Sequence, residues 1–311
     1  MNVLITGGAG YLGIEVVKRL IYNEKVDKII IYDNLSRLNY SVFVIPDFRA
    51  IKKIKFVERD ILDSESLKNL LKEVDLVYHL AAKVALPLTN EDSFQFEQVN
   101  HWGSAELSYA VEQSSRVKKL IYASSTAVYG SHGQDVSQND SENPTCNYGR
   151  SKLQGERILQ RLNSKLEFYS FRLGNLYGYS QGIRYEGVIN RFIFDAHFNN
   201  RISIIGNGEQ SRSFINVKRA AKVLSNIPFE KDVKPGIYDI FDFNYSINDL
   251  LIFLKEIYTN LQYINLGVQL SLNSLTLSSS RRASFLEDMT DDDFRIHLNE
   301  FKNEFSINYL S

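Results

Sequence analysis

Cysteine is all but missing from this chain: among 311 residues only Cys146 carries a thiol, so no intramolecular disulfide can form. That excludes a disulfide-stapled secreted scaffold and makes the reducing cytoplasm the expected location. No charge of one sign dominates either. The 36 basic residues stand against 37 acidic ones, a balance that argues against sequence-independent nucleic-acid binding and against docking on an anionic membrane. Apolar runs of membrane-spanning length are absent. The long uncharged stretch from Ile257 to Ser280 is interrupted by Asn, Gln and Ser, and its VQLSL segment alternates as a strand would. The five histidines fall in no zinc-ligand spacing, so no metal is expected. The opening MNVLITGGAG enters a strand pattern without the basic, apolar and cleavage regions of a signal peptide. What remains is ordinary globular usage, 44% hydrophobic and 23% charged, in a chain long enough for one large or two closely packed domains.

Short β-branched runs alternate with helical patterns through the first half, the signature of βαβ units stacked into a parallel sheet. The runs at residues 3–6, 28–32, 54–58, 76–80, 119–123, 166–173 and 236–241 read as strands, most of them continuously apolar because helices cover both faces. Leu12, Val16, Val17 and Leu20 predict a helix after Gly10. Leu67, Leu70, Leu71 and Val74 place one apolar stripe on another, capped near Asp63, and a third runs from about Tyr148 to Leu162. Past Leu176 the order is less regular, with helical patterns at 188–198 and, after Ser246, at 247–258, and a strand at 202–205. The expected fold is therefore α/β: a Rossmann-type doubly wound parallel sheet over residues 1–176, with a smaller, interleaved C-terminal substrate domain over 177–311. The strand near 236–241 returns to the sheet.

Strand, tight turn and helix start coincide at Gly7-Gly8-Ala9-Gly10-Tyr11-Leu12-Gly13. Backbone N–H groups at such a helix start can hold a pyrophosphate only where no Cβ blocks the approach. The second strand ends at Asp33, where a carboxylate can accept hydrogen bonds from an adenosine ribose, which favours NAD. Arg37 stands close enough to keep NADP open, and a flexible glycine turn with a surface aspartate is the alternative without chemistry. Tyr148 and Lys152, four apart on a helix, share one face. A cationic neighbour and an oxidised nicotinamide ring would lower the phenol's pKa toward the working range and make it a base, although this spacing also occurs on solvated helix faces. Ser124 and Ser125 follow the fifth strand, where a hydroxyl can bond a reacting sugar oxygen or simply end the strand in a turn.

Taken together these residues resemble the extended short-chain dehydrogenases/reductases, in particular the nucleotide-sugar epimerases such as UDP-galactose 4-epimerase. The resemblance runs from Met1 to about Asp242. It is carried by TGGAGYLG from Thr6, YDNLS from Tyr32, RDILD from Arg59, HLAAKV from His79, NHWG from Asn100, SSTAVYG from Ser124, YGRSK from Tyr148, FRLGNLYG from Phe171 and GNGEQSRSFINV from Gly206.

The resemblance implies that Gly7, Gly10, Tyr11 and Leu12 cradle the pyrophosphate of NAD, that Asp33 and Asn34 hold the adenosine ribose, and that Asp60 and Ile61 flank adenine. Leu80, Ala81, Ala82 and Lys83 would line the path to nicotinamide, and Asn100 would fasten the sheet nearby. Ser125, Tyr148 and Lys152 would be the catalytic set, with Ser125, Asn175 and Arg212 on the nucleotide-sugar side and Arg281 or Arg282 as a second diphosphate contact. For Asn175 a purely structural loop role stays open. Family members pair as dimers through two helices each, which here would be the stretches 103–113 and 148–162. The family's 4,6-dehydratases carry an Asp-Glu pair where this chain has Thr126-Ala127, which argues against elimination chemistry. Other departures are Ser213, Asn216 and Lys218 at usually acidic or histidine positions, and the thinning of the likeness past Phe243. The expected activity is NAD-dependent epimerisation of a nucleotide-activated sugar. The alternatives are a reductase or dehydrogenase of a ketosugar nucleotide and a non-catalytic dinucleotide sensor.

Overall fold

The computed structural model describes residues 1–45, 52–84, 93–131, 135–267 and 272–305. The apolar runs of the first half become strands β1 (Asn2–Thr6), β2 (Lys28–Asp33), β3 (Ile54–Glu58), β4 (Leu76–His79), β5 (Lys119–Ser125) and β6 (Glu167–Leu173). With β10 (Gly236–Ile240) they form one seven-stranded sheet in the order β10-β6-β5-β4-β1-β2-β3, every pairing parallel. Order reverses between β1 and its neighbours β2 and β4, so the crevice beyond Thr6 and His79 is the topological switch point where such sheets bind ligands.

Alternation along β1 explains the two helical layers. Val3 and Ile5 face one side, where Val16, Val17 and Leu20 of α1 (Tyr11–Leu20) pack. Leu4 faces the other, with Leu67 of α2 (Ser64–Leu70), Leu107 and Val111 of α3 (Gly103–Gln113) and Leu159 of α4 (Asn147–Gln160). Each fully buried aliphatic side chain of this kind contributes about 1.5–3 kcal/mol, enough to fix the register of a strand that a one-residue slip would turn inside out. Asp63 caps α2 as its position suggests, its carboxylate accepting from Ser66 N at 3.0 Å.

The segments after β7 (Asn175–Tyr177) build a three-stranded sheet of β7, β9 (Ser211–Asn216) and β11 (Phe243–Ser246), and a two-stranded sheet of β8 (Arg201–Ile205) and β12 (Gln262–Leu266). Helices α5 (Val188–Asn199), α7 (Ile247–Ile257) and α8 (Asp291–Asn303) share with them an aromatic core that includes Tyr177, Phe214, Phe243, Phe253 and Phe294. Helix α6 (Val217–Asn226), which no sequence pattern singled out, instead lays Ala220, Ala221 and Leu224 into the α1 layer of the main sheet. Most of the VQLSL segment lies outside the described residues. A further feature without a sequence signal is the π-helical run Glu97–Trp102 leading into α3, which turns Asn100 into the interior.

The glycine turn under α1 is sterically closed. Gly7 has φ +70°, and a Cβ there would lie 2.5 Å from Ala81 N; a Cβ on Gly13 would lie 2.3 Å from the Gly7 carbonyl oxygen. Replacing Gly13 with Ala should therefore lower the unfolding free energy by about 2 kcal/mol or more, through a forced shift of backbone against backbone. Denaturant titration of the two proteins measures it; an unchanged midpoint would contradict this packing.

Candidate active site

Helix α1 opens with Gly10 as its N-cap and no side chain capping it, so the N–H groups of its first turn and the positive end of its dipole face the crevice. A Cβ on Gly10 would meet only the Gly7 carbonyl, at 3.1 Å, and its other side is open. An uncapped helix start of this kind has the sign a pyrophosphate requires. At the end of β2 the Asp33 carboxylate accepts from Ala9 N at 3.0 Å and Leu35 N at 2.9 Å. Burial pushes its pKa up while these two N–H groups pull it down. Asn34 donates to Asp60 at 2.7 Å, which brings the ends of β2 and β3 together beside the buried Ile61. Leu80, Ala81 and Ala82 are half-buried along the edge of the crevice after β4. Asn100 pins this loop, accepting from Lys83 N at 2.8 Å and donating to the Lys83 carbonyl and to Ser151 Oγ.

Two side chains of this half bond to the later segment. The Tyr11 side chain is not in the cradle: it is buried, donates to the Gly178 carbonyl at 2.5 Å and accepts from Asn190 at 3.1 Å, because α1 packs against the later segment there. Only its backbone remains for a phosphate. Arg37 is ion-paired with Glu186 at 3.2 Å.

Tyr148 and Lys152 do share one face of α4, and Ser125 lies opposite at the end of β5. The Ser125 hydroxyl accepts from Ala127 N at 3.2 Å and so also caps the short turn Thr126–Tyr129, which makes the bland reading of this serine true alongside any chemical one. Lys152 is 2% exposed, with its ammonium 4.1 Å from the centre of the Tyr122 ring. Burial brings its pKa down to about 7, opposed by the Glu156 carboxylate one turn further along the helix. The same burial, followed by the Lys152 charge, takes His79 down to about 3, so this histidine is neutral and bridges Thr6 and Ser104 at 2.8 and 3.0 Å.

At Tyr148 burial and the neighbouring groups act in opposite directions. Its pKa is raised, because burial outweighs the Ser125 hydroxyl and the Arg184 guanidinium that pull it down. The cation acting on it is that of Arg184, a residue the sequence reading missed. Arg184 sits in GIRYEG, between two recognised motifs, where no periodicity or spacing marks it.

On the opposite wall Asn175 is exposed and donates to the Ser213 carbonyl at 3.2 Å. Arg212 is held by the carbonyls of Ser211 and Asn273 at 2.8 and 2.7 Å. Among the described residues it has no carboxylate partner, and burial lowers its pKa. Arg281 and Arg282 do not join it. Arg281 binds Tyr129 at 2.7 Å and Asp239 at 3.2 Å behind the site, and Arg282 binds the Phe241 carbonyl and Asp288, so neither guanidinium is directed at a diphosphate.

Residues 3–240 match the model of the NAD dependent epimerase/dehydratase family. The chain belongs to this family. It is 32% identical over 250 residues to the dTDP-D-glucose 4,6-dehydratase of Homo sapiens, covering 77% of this chain and 68% of that protein. Among solved structures it is similar to the UDP-N-acetylglucosamine 4-epimerase of Methanobrevibacter ruminantium M1, with 27% identity, a TM-score of 0.81 and 97% of each chain covered. The UDP-glucuronic acid 4-epimerase of Bacillus cereus shares the fold at 21% identity, with a TM-score of 0.84 over 98% of this chain and 99% of that one. The chain is thus an NAD-dependent enzyme of the extended short-chain dehydrogenase/reductase type. The open cradle at Gly10 and the carboxylate at Asp33 fit that cofactor. Among the described residues no helix is long and apolar enough to cross a membrane.

Lys152 is an ionisable group whose folded pKa lies below its unfolded one. The unfolded chain therefore holds the extra proton between about pH 7 and the ordinary lysine value, and stability rises with pH across that window. Lys152→Met removes the cost of a buried ammonium. It should raise the unfolding free energy by on the order of 1–3 kcal/mol at pH 6, with the gain shrinking toward pH 9. Thermal melts of both proteins across this range check the sign; a constant difference would show that Lys152 is not titrating.

Proposed function

We propose that this enzyme inverts a hydroxyl-bearing carbon, most simply C4, of a nucleotide-activated sugar through a transient ketosugar. The observation that carries the reading is the meeting of Ser125, Tyr148 and Lys152 at the carboxyl ends of β4 and β5, beside the glycine cradle and with Thr126-Ala127 in place of any carboxyl group. Tyr148 takes the proton from the sugar hydroxyl as a phenolate and Ser125 bridges the two oxygens. Lys152 holds the nicotinamide ribose, and the Arg184 guanidinium favours the phenolate. NAD held there would supply a reversible hydride acceptor for the sugar carbon. Gly7, Gly10, Tyr11 and Leu12 hold the pyrophosphate through backbone, Asp33 and Asn34 the adenosine ribose, and Asp60 and Ile61 the adenine. Leu80, Ala81, Ala82 and Lys83 border the nicotinamide.

Arg212, which among the described residues has no acidic partner, suits the diphosphate of the substrate, as does Asn175. Clamping that remote group lets the flat ketosugar turn over without escaping, so binding energy far from the reacting carbon serves the inversion. In this reading residues 1–176 bind the cofactor and 177–311 supply substrate contacts, in a cytoplasmic homodimer formed through α3 and α4. Trp102, the last residue of the π-helical run, and Tyr109 of α3 are exposed.

Incubating the purified enzyme with UDP-hexoses and following proton NMR should show a C4 epimer without net formation of reduced nicotinamide. Stoichiometric reduced cofactor would replace the reading by a dehydrogenase, and a 4-keto-6-deoxy product by a dehydratase. Tyr148→Phe should lower turnover by about 100-fold to 10,000-fold with cofactor content retained; rates near wild type would remove Tyr148 from the chemistry. The Ser125 hydroxyl favours the phenolate, so Ser125→Ala should move the acidic limb of the kcat/KM profile to higher pH. Initial rates between about pH 6 and pH 10 read this shift, and a shift to lower pH would reverse the assignment.

A further inference from the structure

A second concave surface lies toward the far end of α1. Helices α1 and α6 pack side by side in the layer below the main sheet, and Arg19 Nε donates to Ser225 Oγ at 3.2 Å where they touch. Between them opens a groove of about 410 Å³, lined by Glu15, Lys18 and Arg19 of α1, by Tyr22 just past it, and by Lys218 and Asn226 of α6. Arg19 lies about 12 Å along the helix from Tyr11, which borders the cofactor crevice.

Three cations and one carboxylate line this groove, and the carboxylate is already engaged. Glu15 is buried, stands 3.0 Å from the Lys18 ammonium and accepts from Ser180 at 2.8 Å. The Arg19 guanidinium bonds Ser225 through Nε, and among the described residues no carboxylate pairs with it. Burial lowers its pKa, while the Glu15 charge acts the other way. Lys218 meets Glu304 only at 4.0 Å, with its side chain 48% exposed. Lys218 is also placed against local preference. It stands beside Arg219 in the first turn of α6, which holds no acidic residue, where the helix dipole disfavours a cation. It is one of the departures from the family pattern at a usually acidic or histidine position. Breaks with local preference are expected at functional sites.

We propose that the groove between α1 and α6 binds a small molecule carrying two or more linked phosphates. The bond from Nε to Ser225 fixes the Arg19 guanidinium and leaves its two terminal nitrogens to meet phosphate oxygens in parallel. Lys18 and Lys218 add point charges, and the ligand supplies the negative charge that the first turn of α6 lacks. Ser225, the anchor of Arg19, lies about 10 Å along α6 from Lys218, a separation suited to a phosphate chain rather than to one phosphate. The volume falls within the range of small-ligand sites. Tyr22, 69% exposed, offers a ring on which a nucleobase stacks, so an inorganic chain and a nucleotide share the chemistry of this site. The inference is independent of the epimerase reading.

Calorimetric titration of the NAD-loaded enzyme with pyrophosphate and with ATP, at low salt and without metal ions, tests this site. The wild type should show saturable binding with Kd below about 1 mM, weakening as salt is added. Lys218→Glu and Arg19→Gln should each weaken it by about 10-fold or more, and a site should survive in Arg212→Gln, which marks the active crevice. Tighter binding of ATP that falls in Tyr22→Ala supports the proposal with a nucleotide as ligand; equal binding of the two probes supports it with an inorganic chain. Absence of saturable binding by the wild type overturns the proposal. So does an affinity unchanged in Lys218→Glu, a substitution at a half-exposed side chain that tests the site even if Arg19→Gln does not fold. Loss of all binding in Arg212→Gln overturns it as well, since the phosphates would then lie in the crevice.

Discussion

Everything in the active region depends on holding a half-buried phenol and a fully buried ammonium on one face of α4 at the switch point of a parallel sheet. A lysine at 2% exposure is costly, and the protein meets that cost from below the site. Glu156, one turn past Lys152 and itself buried, receives Arg172 at 2.6 Å and Ser170 at 2.6 Å. Arg172 also binds Tyr129 at 2.6 Å and Glu142 at 2.5 Å, and Tyr129 bonds Asp239 at 2.8 Å and Arg281 at 2.7 Å. This lattice joins α4, the turn after Ser125, the two strands β6 and β10, and the segment at Arg281. The face carrying Tyr148 and Lys152 is therefore held by charge pairing on its far side, and its crevice side is left for ligands. An unpaired member of so buried a network would cost several kcal/mol, which is why Arg281, expected at a diphosphate, is fully employed in the interior.

The crevice itself has two walls of different origin. The cofactor wall comes from the βαβ units: the glycine turn, the end of β2 and the loop after β4, the last held by Asn100 from the π-helical run. The substrate wall comes from segments after β7, which carry Arg212 and also Arg184, whose guanidinium acts on the phenol. Tyr11 joins the walls. Its hydroxyl, bonded to Gly178 and Asn190, couples the helix start that frames the pyrophosphate to the segment that presents Arg184. The family contains both dehydratases and epimerases, and they differ in the acid/base groups around one shared centre. In this chain the two positions after Ser125 hold Thr126, buried, and Ala127, neither of which carries a carboxyl group.

The sequence by itself determined the sheet, the glycine cradle, Asp33, the shared face of Tyr148 and Lys152, and the position of Ser125. Each is written in local spacing: apolar runs of strand length, a turn that tolerates no Cβ, a helical repeat of four. It determined too that no carboxyl group follows Ser125. Only the tertiary structure decided the sign of the Tyr148 shift, because desolvation is set by everything packed around the phenol, and spacing along a helix reports a neighbour without reporting the solvent it displaces. Tertiary structure alone also committed the Tyr11 side chain and Arg281 to contacts within the protein, placed α6 in the main sheet's layer, and brought Arg184 to act on the phenol. These four are contacts between residues far apart in the chain, and charge and burial across such distances leave no mark on the local pattern of a single sequence.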